Sequence, residues 1–363
     1  MKRQTEMGAT TPGFVCAHHH LYSTLARGMP SPPRTPDSFL AVLKQVWWRL
    51  DAALDLDMIY WSAKLGAVEA LMAGTTCIID HHESPNAIDG SLSVIRQACA
   101  EVGVRVNVAY GVTDRWRDDG TSVDAVDARS PMTKGAKLGL EENRRALQDG
   151  TAAMVGVHAS FTVCDETLLA ASELAKEFGV GVHIHVAEGP DDAVAPERLR
   201  SLAQDNWLII HGVHLREPLP GVLVHNPRSN MNNSVGYANP QRSSMRVALG
   251  TDGIGADMPE EARVAFARLR EQDLTASAAT VETWLEQSRD LFPESRNDVV
   301  TWNYDHADSI WHLVYTPGTR PITVDIAGRR VLENGLPTLV DIDEVRHKAA
   351  QQAHRLHERL KAA

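Results

Sequence analysis

Two histidines with one residue between them, His18 and His20, follow an apolar run that is typical of a β strand. Residues i and i+2 of a strand point to the same side. Both imidazoles can therefore reach one ion at about 2.0–2.1 Å, the usual zinc–nitrogen distance. Taken alone, the run 18–20 could equally be a chance sequence or the remnant of a tag, but the strand pattern before it favours a metal site. We expect His19, on the other face, to be structural.

A second pair, His185 and Glu188, stands at the end of another apolar run, in the sequence HVAE. A histidine at the end of a strand can complete a metal site, and a glutamate three residues later can reach the attacking water as a proton shuttle. By itself, His-x-x-Glu is more often a surface pair. His183 shares the face of His185 one layer deeper, and we expect it to pack in the core.

Two further polar residues close apolar runs, Asp252 in LGTDG and His211 in LIIHG. An aspartate can bind a metal or accept a proton from water, although aspartates are common in turns. A lone histidine such as His211 is more often a core residue whose hydrogen bonds are satisfied. Together, His18, His20, His185 and Asp252 form a candidate site of three histidines and one aspartate, which leaves room for the water that catalytic zinc requires.

Other hydrolytic chemistries lack their motifs in this chain. The sequence has no H-E-x-x-H, no P-C-x-x-C, no G-x-S-x-G and no P-loop. Zinc proteases, zinc nucleotide deaminases, serine hydrolases and phosphate-loop enzymes respectively depend on these motifs. The candidate chemistry is therefore hydrolysis at a site of histidines and carboxylates.

Composition restricts the partners and the compartment. The 363 residues include 36 Lys+Arg and 47 Asp+Glu, a net charge of −11, and 43% are hydrophobic, as in ordinary globular proteins. The acidic balance argues against nucleic acid and anionic membranes, and no apolar run approaches the roughly 18 residues that span a bilayer. The chain begins without an export signal, and its four cysteines are scattered, which suits a reducing compartment. We expect a cytoplasmic protein.

Bringing the histidines together requires a particular arrangement of strands. Short apolar runs alternate with amphipathic stretches, which predicts a parallel (β/α)8 barrel, with a doubly wound sheet as the main alternative. In a barrel, active sites form where the carboxyl ends of the strands meet, and most of the candidate residues lie at such ends. The predicted strands are 14–20, 77–82, 104–110, 154–160, 180–186, 207–213, 222–226 and 247–252, and the predicted helices between them are 38–50, 56–73, 89–102, 138–149, 165–178 and 196–204.

Two connections fit this fold poorly. Parallel strands are joined by about a dozen residues or more, but only HLREPLPG, residues 214–221, separates the sixth strand from the seventh. Between Val224 and Val247 the chain is rich in Asn, Ser and Arg and shows no clear helix. We therefore expect a barrel that is abbreviated after its sixth strand, unless one strand is misplaced.

The pattern changes after Asp252. Helical stretches at 259–271 and 278–290 are followed by short apolar runs at 299–303, 310–314, 322–326 and 330–332 that read as strands. Asp341 is a candidate N-cap for a final helix. The predicted organisation is a barrel over residues 12–298, a small β-unit over 299–340 with residues 1–11 as an N-terminal remnant, and a C-terminal helix over 341–363.

Seven motifs together resemble the amidohydrolase superfamily, with the SsnA-type aminohydrolases, relatives of guanine deaminases and triazine chlorohydrolases, as the most similar branch. The motifs are PGFVCAHHHLYSTLARGMP, DHHESPN, GVHASFTVCDETL, HIHVAE, HGVHL, HNPRSNMNNSVGYA and LGTDGIGADM. They cover roughly two thirds of the chain, and their number and order make the resemblance specific. It implies a (β/α)8 barrel with one metal. The family usually has several tens of residues before P-G-F, which form part of a small β-sandwich. With residues 1–11 in their place, either the gene start is misplaced or half of this β-sandwich has been lost.

The resemblance also implies roles for single residues. The metal ligands would be His18, His20, His185 and Asp252, of which Asp252 also activates water. Glu188 corresponds to the proton shuttle and His211 to the catalytic histidine of the sixth strand. His158 corresponds to a substrate-contacting histidine of the fourth strand, where binuclear relatives usually carry a carboxylated lysine. This difference implies a single metal.

Contacts with the substrate are open to two interpretations. Trp47 and Trp48 could stack on a planar ring, although paired tryptophans on a helix are more often core residues. Arg228, Asn230 and Asn232, after the seventh strand, could bind ring substituents or form hydrogen bonds within their own loop. At the end of the second predicted strand, His81, His82 and Glu83 could line the mouth of the barrel or merely complete the strand.

The sequence as a whole predicts a metal-dependent hydrolytic deaminase of an amino-substituted, purine-like N-heterocycle. We expect one divalent metal, Zn2+ or alternatively Fe2+, because imidazole suits both. We also expect a homodimer that binds a small heterocyclic molecule and neither nucleic acid nor membrane. Hydrolysis of a cyclic amide or a ring halide at the same centre is one alternative. A metal- or ligand-binding protein without turnover is the other.

Overall fold

Strands occur at almost every position where the apolar runs predict them. The structure, a computed structural model, describes residues 8–150, 152–192, 194–242 and 244–362. Within these residues the strands are β1 (Thr10–Thr11), β2 (Phe14–His19), β3 (Thr75–His82), β4 (Arg105–Tyr110), β5 (Val155–Ala159), β6 (Val182–Val186), β7 (Leu208–His211), β8 (Val222–His225), β9 (Arg246–Leu249), β10 (Val299–Trp302), β11 (Pro321–Ile326), β12 (Arg329–Glu333) and β13 (Leu336–Pro337).

Helices fill most of the connections, and several begin at a capping side chain. Asp55 accepts a hydrogen bond from the backbone N–H of Met58, and Thr133 and Asp257 cap two later helices in the same way. The helices are α1 (Phe39–Val42), α2 (Trp48–Ala53), α3 (Leu56–Met72), α4 (Ser91–Val102), α5 (Lys134–Gln148), α6 (Asp165–Phe178), α7 (Ala195–Leu199), α8 (Pro227–Asn232), α9 (Met258–Gln272), α10 (Ala278–Asp290), α11 (Ile310–Leu313) and α12 (Ile342–Ala362). A π-helical turn, Leu43–Trp47, joins α1 to α2.

Eight parallel strands form the barrel. They pair in two sheets, β2-β3-β4 and β5-β6-β7-β8-β9. Isolated parallel bridges connect the sheet edges, His19 with Asp252 on one side and Val108 with Ala153 on the other. The predicted TIM-like barrel is therefore confirmed, and the doubly wound sheet is wrong because an open sheet would leave both edges free.

The core is divided by the barrel wall. One buried cluster takes residues from strands all around the barrel, including Val15, Ile79 and Ile210. Neighbouring residues of the same strands, such as Ile78 and Ile209, pack in clusters with the surrounding helices. Both faces of each strand are thus buried, which explains the continuous apolar runs in the sequence.

The expected abbreviation of the barrel lies in its connections and leaves all eight strands in place. Residues 212–221, all described, join β7 to β8 without a helix, and β8 is followed by the six-residue α8 and a 3-10 turn at Pro240–Arg242. A chain with two prolines and only ten residues has no room for a helix that packs back on the sheet.

A small antiparallel sheet stands beside the barrel, in the order β1-β10-β11-β12-β13. Thr10 and Thr11 pair with β10, so the N-terminal segment contributes to this sheet, and residues 1–7 lie outside the described residues. The predicted strand at 310–314 is wrong: Ile310–Leu313 is a helical turn, in which Ile310 and Leu313, three residues apart, are both buried. No helix within the described part of the chain is long and apolar enough to cross a bilayer.

Candidate active site and metal centre

Four side chains from the ends of three strands converge at the mouth of the barrel. The potential ligand atoms of His18, His20, His185 and Asp252 all lie within 4.8 Å of one another. Nε2 of His20 is 3.0 Å from Oδ1 of Asp252, and Nε2 of His18 is 3.4 Å from the same oxygen. The structure therefore assembles in space the four residues that the sequence singled out.

The hydrogen bonds of two of these histidines show that the site suits a cation. Nδ1 of His20 lies 2.6 Å from the carbonyl oxygen of His81, and Nδ1 of His185 lies 2.6 Å from that of His158. A carbonyl oxygen only accepts, so each Nδ1 carries the hydrogen, and a neutral imidazole then has a lone pair at Nε2. The two Nε2 atoms are 3.3 Å apart. Two lone pairs facing each other repel unless a positive charge lies between them.

His18 is oriented from behind by another histidine. Its Nδ1 lies 2.8 Å from Nε2 of His183, which comes from the same strand as His185. Nε2 of His18 is buried and has no hydrogen-bond partner among the described residues. An orienting partner on one ring nitrogen and a free second nitrogen are typical of metal-binding histidines. His183, predicted to be a core residue, thus also supports the candidate ligand.

The electrostatics of the four residues also favour a cation. Burial lowers the pKa of His18 and of His185 well below the usual value, so both are neutral imidazoles. Burial also acts against the charged forms of His20 and Asp252, but their hydrogen bond prevails. This hydrogen bond raises the pKa of His20 to about 9 and holds the pKa of Asp252 well below its usual range. A divalent ion would take the place of the proton on His20.

A second group of acidic and imidazole side chains shares Asp252. Nε2 of His211 is 3.4 Å from Oε2 of Glu188 and 3.9 Å from Oδ2 of Asp252. Burial raises the pKa of Glu188 to about 7, against the attraction of His211. A carboxyl group with a pKa near neutrality can both give and take a proton, which is what a proton shuttle requires.

The backbone at the strand ends has an uncommon conformation. His211 has φ 67° and Asp252 has φ 53°, both in the left-handed region. Such a conformation is uncommon for residues other than glycine and often marks functional sites. His211 is the last residue of β7, and Asp252 lies three residues after the end of β9.

A cavity opens over this group of residues, and aromatic side chains form one part of its wall. Phe39, Trp47, Trp48 and Phe161 line it together with His158. Trp47 belongs to the π-helical turn, and turns of this type are frequent at functional sites. The structure thus places two of the predicted substrate contacts, Trp47 and His158, at the cavity.

The three predicted contacts after the seventh strand, Arg228, Asn230 and Asn232, lie outside the cavity wall. The guanidinium of Arg228 pairs with Glu261 and donates to the carbonyl oxygen of Gly255 at 2.8 Å. Oδ1 of Asn230 is 2.8 Å from Nδ1 of His211, so Asn230 orients the imidazole. The polar groups of Arg228 and Asn230 are thus directed to partners within the protein.

Several residues that contact the site were not recognised in the sequence. Ser229 donates a hydrogen bond to Oδ2 of Asp252, and Nδ2 of Asn233 lies 3.3 Å from Oε1 of Glu188. Both belong to HNPRSNMNNSVGYA, one of the motifs that carried the resemblance, and this was the only available signal. The spacing of Asp51, Glu83 and Arg115 gave no sign that they meet beside the cavity.

The sequence profile described as the Amidohydrolase family matches residues 9–284. The chain belongs to the amidohydrolase family. A family member, the 5′-deoxyadenosine deaminase of Methanopyrus kandleri, is 26% identical, with 97% of this chain and 87% of the relative covered. The 5-methylthioadenosine/S-adenosylhomocysteine deaminase of Halothermothrix orenii is 24% identical, with 95% of this chain and 85% of the relative covered.

Solved structures show the same fold. The zinc-bound structure of an adenosine deaminase from Xanthomonas campestris superimposes with a TM-score of 0.77 at 22% identity and covers 96% of this amidohydrolase and 86% of that chain. The atrazine chlorohydrolase of Arthrobacter aurescens, complexed with zinc, gives a TM-score of 0.76 at 18% identity and covers 95% and 88% of the two chains.

Proposed function

We propose that this amidohydrolase is a hydrolytic deaminase of an amino-substituted N-heterocycle. The proposal rests on Asp252, which belongs to both groups of residues at the site. It lies 3.0 Å from the candidate metal ligand His20 and 3.9 Å from the catalytic candidate His211. A centre of this kind can activate water and transfer protons at the same place. The deaminases of adenosine derivatives among the relatives support the choice of a C–N bond as the target.

One divalent ion would be held by His18, His20, His185 and Asp252. When bound, it supplies Lewis acidity that lowers the pKa of a water molecule toward about 7. Three neutral imidazoles and one carboxylate suit zinc, with Fe2+ as the alternative. The zinc in the related adenosine deaminase and atrazine chlorohydrolase structures supports zinc here.

The residues around this ion divide the proton transfers between them. Asp252 accepts a proton from the attacking water, and its low pKa keeps it ionised for this task. Glu188 delivers a proton to the ring nitrogen beside the carbon under attack, and the proton taken up by Asp252 passes to the amino group, which leaves as ammonia. The remaining hydroxyl proton of the intermediate returns to Glu188. His211 faces both carboxylates and is placed to stabilise the developing oxyanion.

The cavity supports a small planar substrate. Trp47 can stack on one face of a ring, and His158 lies at the cavity wall with its Nδ1 2.8 Å from the hydroxyl of Thr162. Nε2 of His158 is left for the substrate. Since the related deaminases act on adenine-containing compounds, we infer a purine-like ring.

An elemental analysis followed by an ammonia-release screen tests the proposal. We expect about one zinc per chain and release of ammonia from at least one of a panel of aminopurines, aminopyrimidines and pterins. Chloride release from chlorotriazines without ammonia release would favour the ring-halide alternative. Chlorotriazines are chosen as probes because the fold resembles that of atrazine chlorohydrolase. Hydrolysis of a cyclic amide alone would favour the other hydrolytic alternative. Full metal loading without any hydrolysis would identify a binding protein.

The organisation of the whole protein is also part of the proposal. We infer a barrel over residues 12–298, a β-unit over 299–340 with residues 1–11, and a C-terminal helix over 341–363, acting in the cytoplasm as a homodimer. Light scattering of the purified protein tests the dimer, and limited proteolysis followed by mass spectrometry tests the boundaries.

A further inference from the structure

A buried ion network lies at the cavity wall, which Asp51 and Glu83 help to line. Nη2 of Arg115 is 2.8 Å from Oδ2 of Asp51 and also bonds Oε2 of Glu83. The side chain of Arg115 is fully buried, and those of Asp51 and Glu83 are each only 3% exposed. One guanidinium nitrogen thus holds two carboxylates from two different elements, α2 and the loop after β3.

The network leaves one carboxylate oxygen of Glu83 unused. Oε1 of Glu83 is buried and has no hydrogen-bond partner among the described residues, and Glu83 lines the cavity. A buried carboxylate oxygen without a partner costs free energy, because it has lost its water and gained nothing in return. A carboxylate oxygen accepts hydrogen bonds. The natural occupant of this position is therefore a hydrogen-bond donor.

The location of Glu83 connects this oxygen to the proposed substrate. Oε1 of Glu83 is 3.7 Å from Nε2 of His158, and the ring of His158 is centred 5.5 Å from that of the candidate ligand His185. These distances are comparable to the width of a purine ring. A ring that presents its reacting carbon to the metal centre would therefore extend toward Glu83.

Arg115 is fixed from other directions as well. Its guanidinium carbon lies 4.9 Å from the centre of the Trp48 ring and 5.4 Å from that of Trp116. Such cation–π contacts restrict a buried guanidinium. Burial and the nearby Glu83 raise the pKa of Asp51 well above its usual range, which leaves Glu83 as the acceptor in this network.

We propose that Glu83 is a substrate-binding residue whose Oε1 accepts a hydrogen bond from an N–H or O–H donor on the heterocyclic substrate, and that Arg115 positions it. The inference rests on the proposed function and narrows its substrate class. The substrate carries a neutral or cationic donor beside His158. Anionic substituents at this position are disfavoured, because they offer no hydrogen to Oε1 of Glu83, which can only accept one.

Binding measurements test the proposal without turnover. Zinc-loaded Glu188→Gln protein is titrated in a calorimeter with two pairs of probes, adenine against 9-methyladenine and adenosine against 2′,3′-dideoxyadenosine. Each pair keeps the amino group, and its second member lacks a donor, on the ring in the first pair and on the sugar in the second. We expect one pair to differ at least about tenfold in Kd, since hydrogen bonds to charged groups contribute at this scale.

Variants of Glu83 assign that difference to the residue. Each Glu83 substitution is added to the Glu188→Gln protein. Glu83→Gln removes the charge, and Glu83→Asp keeps the charge but withdraws the oxygen. Either one should reduce the difference in Kd between the two probes to about threefold or less. Glu177→Gln is the matched control, because Glu177 is also paired with an arginine, Arg144, but is half exposed. Arg115→Lys should retain part of the difference and Arg115→Met none.

The proposal is wrong if neither pair differs with Glu83 in place. It is also wrong if the difference survives in whichever Glu83 variant retains zinc and the native circular dichroism spectrum. Failure of the proposed function gives another result, namely no ammonia from any compound when Glu188 is intact, whatever the calorimetry shows.

Discussion

Ser229 and Asp252 are joined by a hydrogen bond from the hydroxyl of Ser229 to Oδ2, while Oδ1 of Asp252 lies 3.0 Å from Nε2 of His20. The two oxygens of this carboxylate thus have different partners. The serine fixes the rotation of the carboxylate, so that one oxygen stays directed to the metal centre.

Replacing Ser229 by alanine should therefore lower kcat by about tenfold while the zinc content stays near one per chain. Asp252 would keep its charge and its contact with His20 but lose the bond that fixes its orientation, and misplaced catalytic groups are costly. Steady-state kinetics and elemental analysis on the same preparation check this. Ser201→Ala, at an exposed position, is the control. Unchanged kcat would show that Ser229 has no part in orienting Asp252.

Removing the metal should lower the thermal stability of the protein. Without the metal, only a proton on His20 would lie between the Nε2 atoms of His20 and His185, which are 3.3 Å apart, and stability is gained whenever a ligand binds only the folded state. Differential scanning calorimetry should show a lower Tm after chelation and recovery on adding zinc. His185→Asn should abolish this zinc-dependent shift, whereas His347→Asn, on the exposed face of α12, should preserve it.

Glu188→Gln should reduce kcat by about 10²–10⁴-fold, the usual contribution of a general acid–base residue, with zinc content unchanged. Glutamine keeps the contact with Asn233 but cannot carry the proton. Glu217→Gln, in an exposed ion pair with Arg200, is the control. A Glu188→Gln variant with full activity would refute the shuttle role.

Gly250→Ala should weaken zinc binding and destabilise the fold by about 1–3 kcal/mol. A Cβ atom at Gly250 would lie 2.8 Å from the backbone nitrogen of His18 and 2.5 Å from Oδ1 of Asn226, so the strand that carries His18 would have to move. Zinc titration and chemical denaturation measure the two effects. Gly135→Ala, where the added methyl meets nothing closer than 4.0 Å, should leave both unchanged or raise stability. Equal behaviour of the two variants would contradict the argument.

Glu261 should make stability depend on pH. Burial raises its pKa to about 7, against the attraction of Arg228, compared with about 4.3 in an unfolded chain. The folded state therefore favours the protonated form of Glu261. The resulting contribution to the free energy of unfolding is complete below about pH 4 and is lost as pH rises through 7. Between pH 5 and 8.5 the free energy of unfolding of the wild type should fall, relative to Glu261→Gln, by the order of 1 kcal/mol or more. Glu260→Gln should show no such trend.

The strands and the candidate metal ligands could be predicted because their signals are local. Most barrel strands are mainly apolar runs with a polar residue at or shortly after their end, and His211 and Asp252 follow this pattern. The helical turn at Ile310–Leu313 was mistaken for a strand because a short, mainly apolar run suits either conformation.

The remaining contacts depend on distances that the sequence does not encode locally. Arg115 meets Asp51 across 64 residues and Glu83 across 32, and nothing in the spacing indicates this. Arg228 was a plausible substrate contact until its partner Glu261 was located 33 residues away. A long side chain on a loop can turn toward the cavity or away from it, and only packing decides.

The four candidate ligands come from both sheets of the barrel. His18 and His20 belong to the end of β2 in the three-stranded sheet, whereas His185 ends β6 in the five-stranded sheet and Asp252 follows its edge strand β9. An ion held by all four would act as a cross-link between the two halves, next to a seam where His19 and Asp252 form an isolated bridge. Catalytic competence and closure of the barrel would then have a common origin, and a cell that is short of the metal would lose both together.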